Sequence, residues 1–304
     1  MSKSSNRERA AKTCAGASGV PLGRCRKWAR EGLISPHQPV PDASTKPQRR
    51  LEAFVVNTLA NTFRDRQLDG SVLGINKAEP SLDSLELQLH PDMANHVIAA
   101  LLPRVDWEYG GLKGVPGLRP RERGGHLVLE DVSGRAALRV FQPVGERLRL
   151  PQGRRGELAV WRKSPRRLHG SEEPDLAAWQ GGSREREANF ARDYLLSRML
   201  RRPRLLNRVA KAHGFANSYT HGYSDLVVEW CCAASVEGMT SLLRRSGLTS
   251  QPTGLVCAAS ESFPGNLDLG PSRVVVRRLP QCTIPYDLIS EKELTATHRE
   301  EYLR

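Results

Sequence analysis

The stretch DLVVEWCCAASVEGMTSLLRRSGLTSQPTGLVCAA (225–259) has the clearest alternation of strand and helix signals in the chain. Its first part, 225–232, is rich in apolar and β-branched residues, which favours a strand. Ser235 belongs to the residue types that cap helices, and Gly247 to the type that ends them. Residues 255–259 form a second apolar run. This order of strand, helix and strand predicts a mixed α/β layer.

Other segments also predict both helices and strands. Residues 48–66 place apolar side chains at three- and four-residue spacing, which predicts an amphipathic helix. Strand-like segments at 126–130 and 136–142 flank a Ser-Gly pair, which predicts a β-hairpin. The remaining predicted elements are a strand at 85–89, a helix between Pro91 and Pro103, helices at 184–201 and 204–213, and strands at 158–162 and 273–279.

The predicted fold class is mixed α/β (α+β), with a small N-terminal helix-turn-helix followed by one or two α/β domains with mixed sheets. Residues 1–47 hold the helix-turn-helix and a linker that carries four prolines. Residues 48–170 are expected to form an α+β domain, and residues 171–304 a second α/β domain. The polar, Gly- and Pro-rich composition around 143–186 suggests the boundary between them.

The balance of charge indicates a polyanionic partner. The 304 residues carry a formal net charge of +13, and 39% of them are hydrophobic, which excludes a disordered composition. Of the 46 basic residues nine are lysine and 37 are arginine. Codon usage in a GC-rich genome can produce arginine in place of lysine, but it explains less well the excess of bases over acids.

The cysteines and the apolar runs indicate a cytoplasmic protein. The six cysteines form no pair of C-x-x-C motifs, so buried free thiols are expected. No apolar run approaches the ~18 residues that a membrane helix needs, so no membrane partner is predicted. Residues 1–20 lack the apolar region of a secretory signal.

The stretch SGVPLGRCRKWAREGLISP (18–36) predicts a second helix after a sharp turn. Glycines between Gly16 and Gly19 permit the turn, and Pro21 suits the first turn of a helix. Ala10, Ala11 and Cys14 are small apolar positions on the first helix. Leu22, Cys25, Trp28 and Ala29 share one face of the second. The residues expected to contact DNA are Arg24, Arg26, Lys27, Arg30 and Lys12.

This stretch resembles the DNA-binding helix-turn-helix of the MerR-type regulators. In that family a Gly-Val turn leads into a helix with a Leu-Arg-aromatic core, followed by Gly-Leu-Ile/Leu-Ser-Pro. Gly19-Val20 matches the turn, Arg26 the arginine, Trp28 one of two aromatics, and residues 32–36 the exit. The likeness covers residues 7–36, about 30 of 304, and implies a module that binds duplex DNA.

The sequence also departs from the family pattern. Cys25 stands where leucine is usual, and Lys27 replaces the other aromatic residue. The proline-rich segment contains no recognisable wing, and no long C-terminal coiled coil follows. The resemblance therefore implies a module rather than membership of the family.

Later basic stretches predict further phosphate contacts. In the stretch 147–167 the candidates are Arg154, Arg155, Arg162 and Lys163, and in the helix after residue 184 they are Arg201 and Arg202. Solvated loops and an ordinary solvent-facing helix are the alternatives. The glycine-rich stretch 110–119, with Lys113 and Arg119, is a further phosphate candidate, although it lacks the GK[ST] ending of a P-loop.

The best catalytic candidates are His221, Asp225 and Glu229. If residues 225–232 form a strand, Asp225, Val227 and Glu229 share one face. Two carboxylates near a histidine could hold a divalent metal for phosphodiester chemistry. The alternative is the polar face of a half-buried strand, and no metal site or cofactor is predicted.

The leading hypothesis is a DNA-binding protein, a regulator or a mobile-element protein, that uses its basic N-terminal helix-turn-helix and is not an enzyme. The first alternative is a metal-dependent enzyme that processes nucleic acid at His221, Asp225 and Glu229. The second alternative is a non-catalytic scaffold protein with no nucleic-acid role, whose arginine content is only compositional.

Overall fold

The computed structural model describes residues 3–63, 73–107, 110–124, 126–141, 148–153, 156–181, 186–205, 216–221, 225–230, 235–250, 254–258 and 272–278. Within these ranges the α-helices are α1 (Lys3–Ser18), α2 (Leu22–Arg30), α3 (Lys46–Thr62), α4 (Ala94–Leu101), α5 (Val160–Lys163), α6 (Glu173–Gln180), α7 (Arg186–Leu200) and α8 (Val236–Arg245). Short 3-10 turns at Pro91–Met93 and Gly170–Glu172 precede α4 and α6.

The described strands are β1 (Ile75–Pro80), β2 (Leu85–Leu89), β3 (Arg104–Asp106), β4 (Leu112–Lys113), β5 (Leu118–Arg123), β6 (His126–Asp131), β7 (Ala137–Phe141), β8 (Glu157–Ala159), β9 (Ala216–His221), β10 (Asp225–Trp230), β11 (Gly254–Ala258) and β12 (Arg273–Arg278). Helices and strands thus occur together along the chain in mixed sheets, and the predicted mixed α/β fold class is confirmed.

The first sheet has five strands in the order β1-β2-β7-β6-β5. β2 and β7 are parallel and the other neighbours are antiparallel, including the predicted hairpin of β6 and β7. α3 packs against this sheet. The side-chain amide of Gln48 donates to the carbonyl of Ala137 and accepts from its N–H, both at 3.1 Å. Leu51 and Val55 of α3 share a buried core with Leu138 and Val140 of β7.

The second sheet, β11-β12-β10-β9, contains the strand–helix–strand unit that opened the sequence analysis. β12 lies between β10 and β11 and is parallel to both, whereas β9 is antiparallel to β10. α8 connects β10 to β11, and the Ser235 hydroxyl caps it by accepting from the N–H of Gly238 at 3.0 Å. The predicted cap is confirmed.

The third sheet has three strands in the order β4-β3-β8. It confirms one predicted strand only in part. The strand predicted at 158–162 ends at Ala159 and continues as the short helix α5. The apolar residues that suggested a strand, Val160 and Trp161, are buried on this helix. Burial of two adjacent apolar side chains does not require an extended backbone, so composition alone gave the wrong element here.

Candidate nucleic-acid interface

The N-terminal helices α1 and α2 are joined by the turn 19–21, shorter than expected because Gly16 lies inside α1. Ser18 ends α1. Its hydroxyl donates to the Cys14 carbonyl at 2.8 Å and accepts from the Val20 N–H at 3.2 Å. Gly19 has φ +86°, and an added Cβ there would lie 2.6 Å from Nε of Arg204. The positive φ therefore favours glycine at this position, whereas the exposed Arg204 side chain could move aside.

The two helices meet through small buried side chains. Ala10, Ala11 and Cys14 of α1 are buried, as are Cys25 and Ala29 of α2. A hydrogen bond with Cys25 and burial raise the pKa of the Cys14 thiol above its ordinary value, so the thiol is neutral. Small side chains allow the helices to pack closely and set the orientation of the opposite face of α2.

The opposite face of α2 is exposed and basic. At 100° per residue, positions 23, 24, 26, 27, 30 and 31 form a continuous arc of about 160°. All six residues are exposed, and four of them are the cations Arg24, Arg26, Lys27 and Arg30. The predicted basic face is therefore present, with Lys12 exposed on the adjacent helix α1.

Acidic residues pair with most of these cations. Arg26 donates to both carboxylate oxygens of Glu8, at 3.0 and 2.8 Å, and this contact lowers the pKa of Glu8. Lys12 also lies 3.8 Å from Glu8, and Lys27 lies 3.8 Å from Glu31. Arg30 forms no ion pair with a described residue. The side chains remain largely exposed, 52% for Arg26 and 66% for Lys27, so the pairs are on the surface.

Arg24 is held more firmly than its neighbours. Its guanidinium pairs with Glu79 of β1, whose side chain is only 11% exposed, and lies 5.7 Å from the ring centroid of Trp28. These contacts tie α2 to the edge of the five-stranded sheet. Arg24 is therefore the least available of the four cations for a contact with DNA.

The phosphate-contact candidates at 147–167 have mixed outcomes. Arg154 and Arg155 lie outside the described residues. Arg162 and Lys163 are exposed on α5, and Arg162 donates to the Pro151 carbonyl at 2.9 Å and lies 4.6 Å from the Trp161 ring. Because Trp161 is buried, its ring is not available for stacking with a nucleobase.

The predicted phosphate contacts of Arg201 and Arg202 are wrong, because both side chains are buried. Arg201 forms a two-bond ion pair with Glu52, at 2.8 and 2.7 Å, and donates to the carbonyls of Pro41 and Ser81. Neither Arg201 nor Glu52 has exposed side-chain area. The guanidinium thus joins the proline-rich segment, α3 and the β1–β2 turn in the interior.

Arg202 and Arg198 extend this network. Arg202 donates to the carbonyls of Ser246, Arg198 and Val40, and burial lowers its pKa to about 10. Arg198 donates to both oxygens of Asp42, at 2.8 to 3.1 Å. Several arginines therefore act as internal connectors, and the excess of arginine is in part structural rather than a sign of polyanion binding.

Arg119, in the glycine-rich stretch, is also internal. It pairs with buried Glu172 through two bonds at 2.9 and 2.8 Å and donates to the carbonyls of Leu118, Ser164 and Arg167. Its donors are thus committed to the protein, which contradicts a phosphate-binding role for this residue. Lys113 is exposed and pairs with Asp106 at 3.0 Å.

The catalytic candidates lie on adjacent strands of the second sheet. Asp225 pairs in register with His221 of β9, whose side chain is outside the described part of the structure. Asp225 is buried and accepts from Arg273 at 2.8 Å, and Glu229 accepts from Tyr219 at 3.0 Å and from Arg277 at 3.2 Å. Both arginines occupy the register-matched positions of β12.

Within the described residues, each of the two carboxylates thus forms an ion pair with an arginine of a neighbouring strand. As expected, Asp225, Val227 and Glu229 share one face of β10. Val227 packs there with Tyr219 and Val275, in a small cluster separate from the main core. A guanidinium neutralises each carboxylate where a metal ion would otherwise do so. No group of three His, Cys, Asp or Glu residues within the described ranges is arranged to hold a metal ion.

Comparison with known proteins adds no relative. No family model, no curated protein and no solved structure matches the chain.

Among the helices that the structure describes, none combines the length and the apolar character required to cross a bilayer.

Proposed function

We propose that the α1–α2 helix pair binds duplex DNA through the exposed face of α2. The observation that carries this proposal is the continuous exposed arc of α2, where four of six residues are cations and the opposite face is packed on α1. A short helix presented in this way is the element that helix-turn-helix proteins place in the major groove. No catalytic step is required for this role.

The existing ion pairs leave this face available. The Arg26–Glu8 pair is exposed and screened by solvent, so phosphate oxygens can replace the carboxylate at small cost. Lys27 has only a long contact with Glu31 on its own helix, and Arg30 is exposed. We infer that Arg26, Lys27 and Arg30 make the main phosphate contacts, whereas Arg24 stays on Glu79.

Replacing both Arg26 and Lys27 with alanine is expected to weaken duplex binding about tenfold or more near 0.1 M salt. The slope of log K against log salt concentration should fall by about 2, one for each lost phosphate contact. Electrophoretic mobility shifts or fluorescence anisotropy with a labelled duplex, measured across a salt series, check both values.

A matched control removes the same charge elsewhere. Arg123 and Arg139 are 64% and 62% exposed on the five-stranded sheet, and each pairs with an acidic residue. The double variant Arg123→Ala and Arg139→Ala should retain the wild-type affinity and slope. Equal weakening by both double variants would indicate diffuse charge attraction instead of an interface on α2. Unchanged binding in the Arg26→Ala and Lys27→Ala variant would refute the proposal, and failure of the wild type to bind any duplex would favour the scaffold hypothesis.

A further inference from the structure

A cavity of about 460 Å³ lies between α3, α6 and the β6–β7 turn. Its size falls in the range of about 300–1,000 Å³ that is usual for small-molecule sites. None of its lining residues belongs to α1 or α2, so this cavity is separate from the proposed DNA interface. Its lining divides into a basic rim and an apolar wall.

Three cations line the cavity. Lys46 and Arg135 are exposed at its rim, from α3 and from the β6–β7 turn. Arg50 lies deeper, with 31% of its side chain exposed. Its Nε atom is buried and donates no hydrogen bond to a described atom. Because Nε has almost no accessible surface, an anion in the cavity would have to bind to the other guanidinium nitrogens of Arg50.

Two carboxylates lie near these three cations and offset their charge only in part. Asp131, which lines the cavity, accepts from the backbone N–H of Ser133 at 3.1 Å and from the Ser133 hydroxyl. Asp193 lies 4.0 Å from Nε of Arg50, beyond hydrogen-bond distance, and accepts from Nε1 of Trp179 at 3.1 Å. Burial raises the pKa of Asp193, and the nearby Arg192 and Arg50 oppose this rise.

The wall of the cavity is apolar and fixed in place. Leu51, Phe54 and Leu176 contribute to it. The Phe54 ring stacks on Trp179, with centroids 4.2 Å apart and planes inclined by 28°. Such a wall offers apolar surface to a ligand, although Leu51 and Phe54 are themselves buried.

We propose that this cavity binds a small organic phosphate monoester with a flat apolar group. Lys46, Arg50 and Arg135 surround the phosphate, and the apolar group lies on the wall formed by Leu51, Phe54 and Leu176. The cations supply charge-assisted hydrogen bonds, and the wall supplies burial of apolar area. This proposal does not depend on DNA binding.

The test uses phenyl phosphate as the probe, with inorganic phosphate and phenol as its two halves. Isothermal titration calorimetry on the full chain should show saturable binding of phenyl phosphate with a dissociation constant at least tenfold lower than that of either half. Saturable competition by inorganic phosphate is expected at higher concentration. Absence of saturable phenyl phosphate binding, or equal affinity for inorganic phosphate, would overturn the proposal.

Two variants locate the site. Lys46→Ala with Arg135→Ala should raise the dissociation constant at least tenfold, whereas Arg123→Ala with Arg139→Ala, the same charge change outside the cavity, should leave it unchanged. Leu176→Trp keeps every charge and fills the cavity, so it should also abolish binding. Melting curves verify that each variant is folded. If binding survives in both cavity variants, the probe binds elsewhere and the proposal is wrong.

Discussion

The Arg201→Met variant is expected to unfold with a free energy about 3–5 kcal/mol lower than that of the wild type. Arg201 neutralises the carboxylate of Glu52 in the interior, where neither side chain is exposed. Methionine keeps much of the volume but removes the charge and four hydrogen bonds to Glu52, Pro41 and Ser81. Urea unfolding followed by circular dichroism measures the change.

Two further variants make this prediction specific. Arg245→Met, at an exposed position of α8, should change the free energy of unfolding by less than about 0.5 kcal/mol. Adding Glu52→Leu to Arg201→Met should recover part of the loss, because it removes the unpaired carboxylate. The assigned role of the pair fails if Arg201→Met costs less than about 1 kcal/mol, or if the added Glu52→Leu deepens the loss.

Glu172→Gln is expected to cost about 3 kcal/mol at neutral pH, because it leaves the buried Arg119 guanidinium without a counter-charge. Burial alone disfavours the ionised carboxylate. Hydrogen bonds from Arg119 and from the N–H groups of His169 and Gly117 outweigh this effect of burial and lower the pKa of Glu172 below 4.5. The ionised carboxylate therefore stabilises the fold fully above pH 4.5, and this contribution is lost as the pH falls through the lowered pKa.

The measurement is the difference in unfolding free energy between the wild type and Glu172→Gln over a pH series. The difference should be constant above about pH 5 and narrow on acidification below 4.5. Glu173→Gln, one residue away and exposed, is the control and should show little change at any pH. A difference that widens on acidification would contradict the assigned sign of the pKa change.

Elements with a strong local pattern could be predicted from the sequence. The cap at Ser235, the hairpin of β6 and β7 and the amphipathic helix α3 each depend on residues close together in the chain. β1 (INKAEP) and β5 (LRPRER) could not be predicted, because neither sequence alternates or is apolar. They are strands because β2 and β6 supply paired backbone partners, and such pairing depends on tertiary structure.

The same distinction applies to the charged residues. The basic face of α2 follows from helical spacing and was predicted, but its contacts with Glu8 and Glu79 join separate elements. Arg119 and Arg201 resembled surface cations because arginine is seldom buried without a partner. Their partners, Glu172 and Glu52, are 53 and 149 positions away, so no local pattern marks them.

The Glu52–Arg201 pair also constrains the order in which parts of the chain can fold during synthesis. Glu52 leaves the ribosome 149 residues before Arg201. At roughly 5–20 residues per second, the carboxylate waits about 7–30 s for its partner. An ionised carboxylate cannot be buried without compensation, so during this interval Glu52 stays in contact with water. The nascent N-terminal half therefore cannot close around Glu52 until Arg201, the residue that follows α7, has emerged.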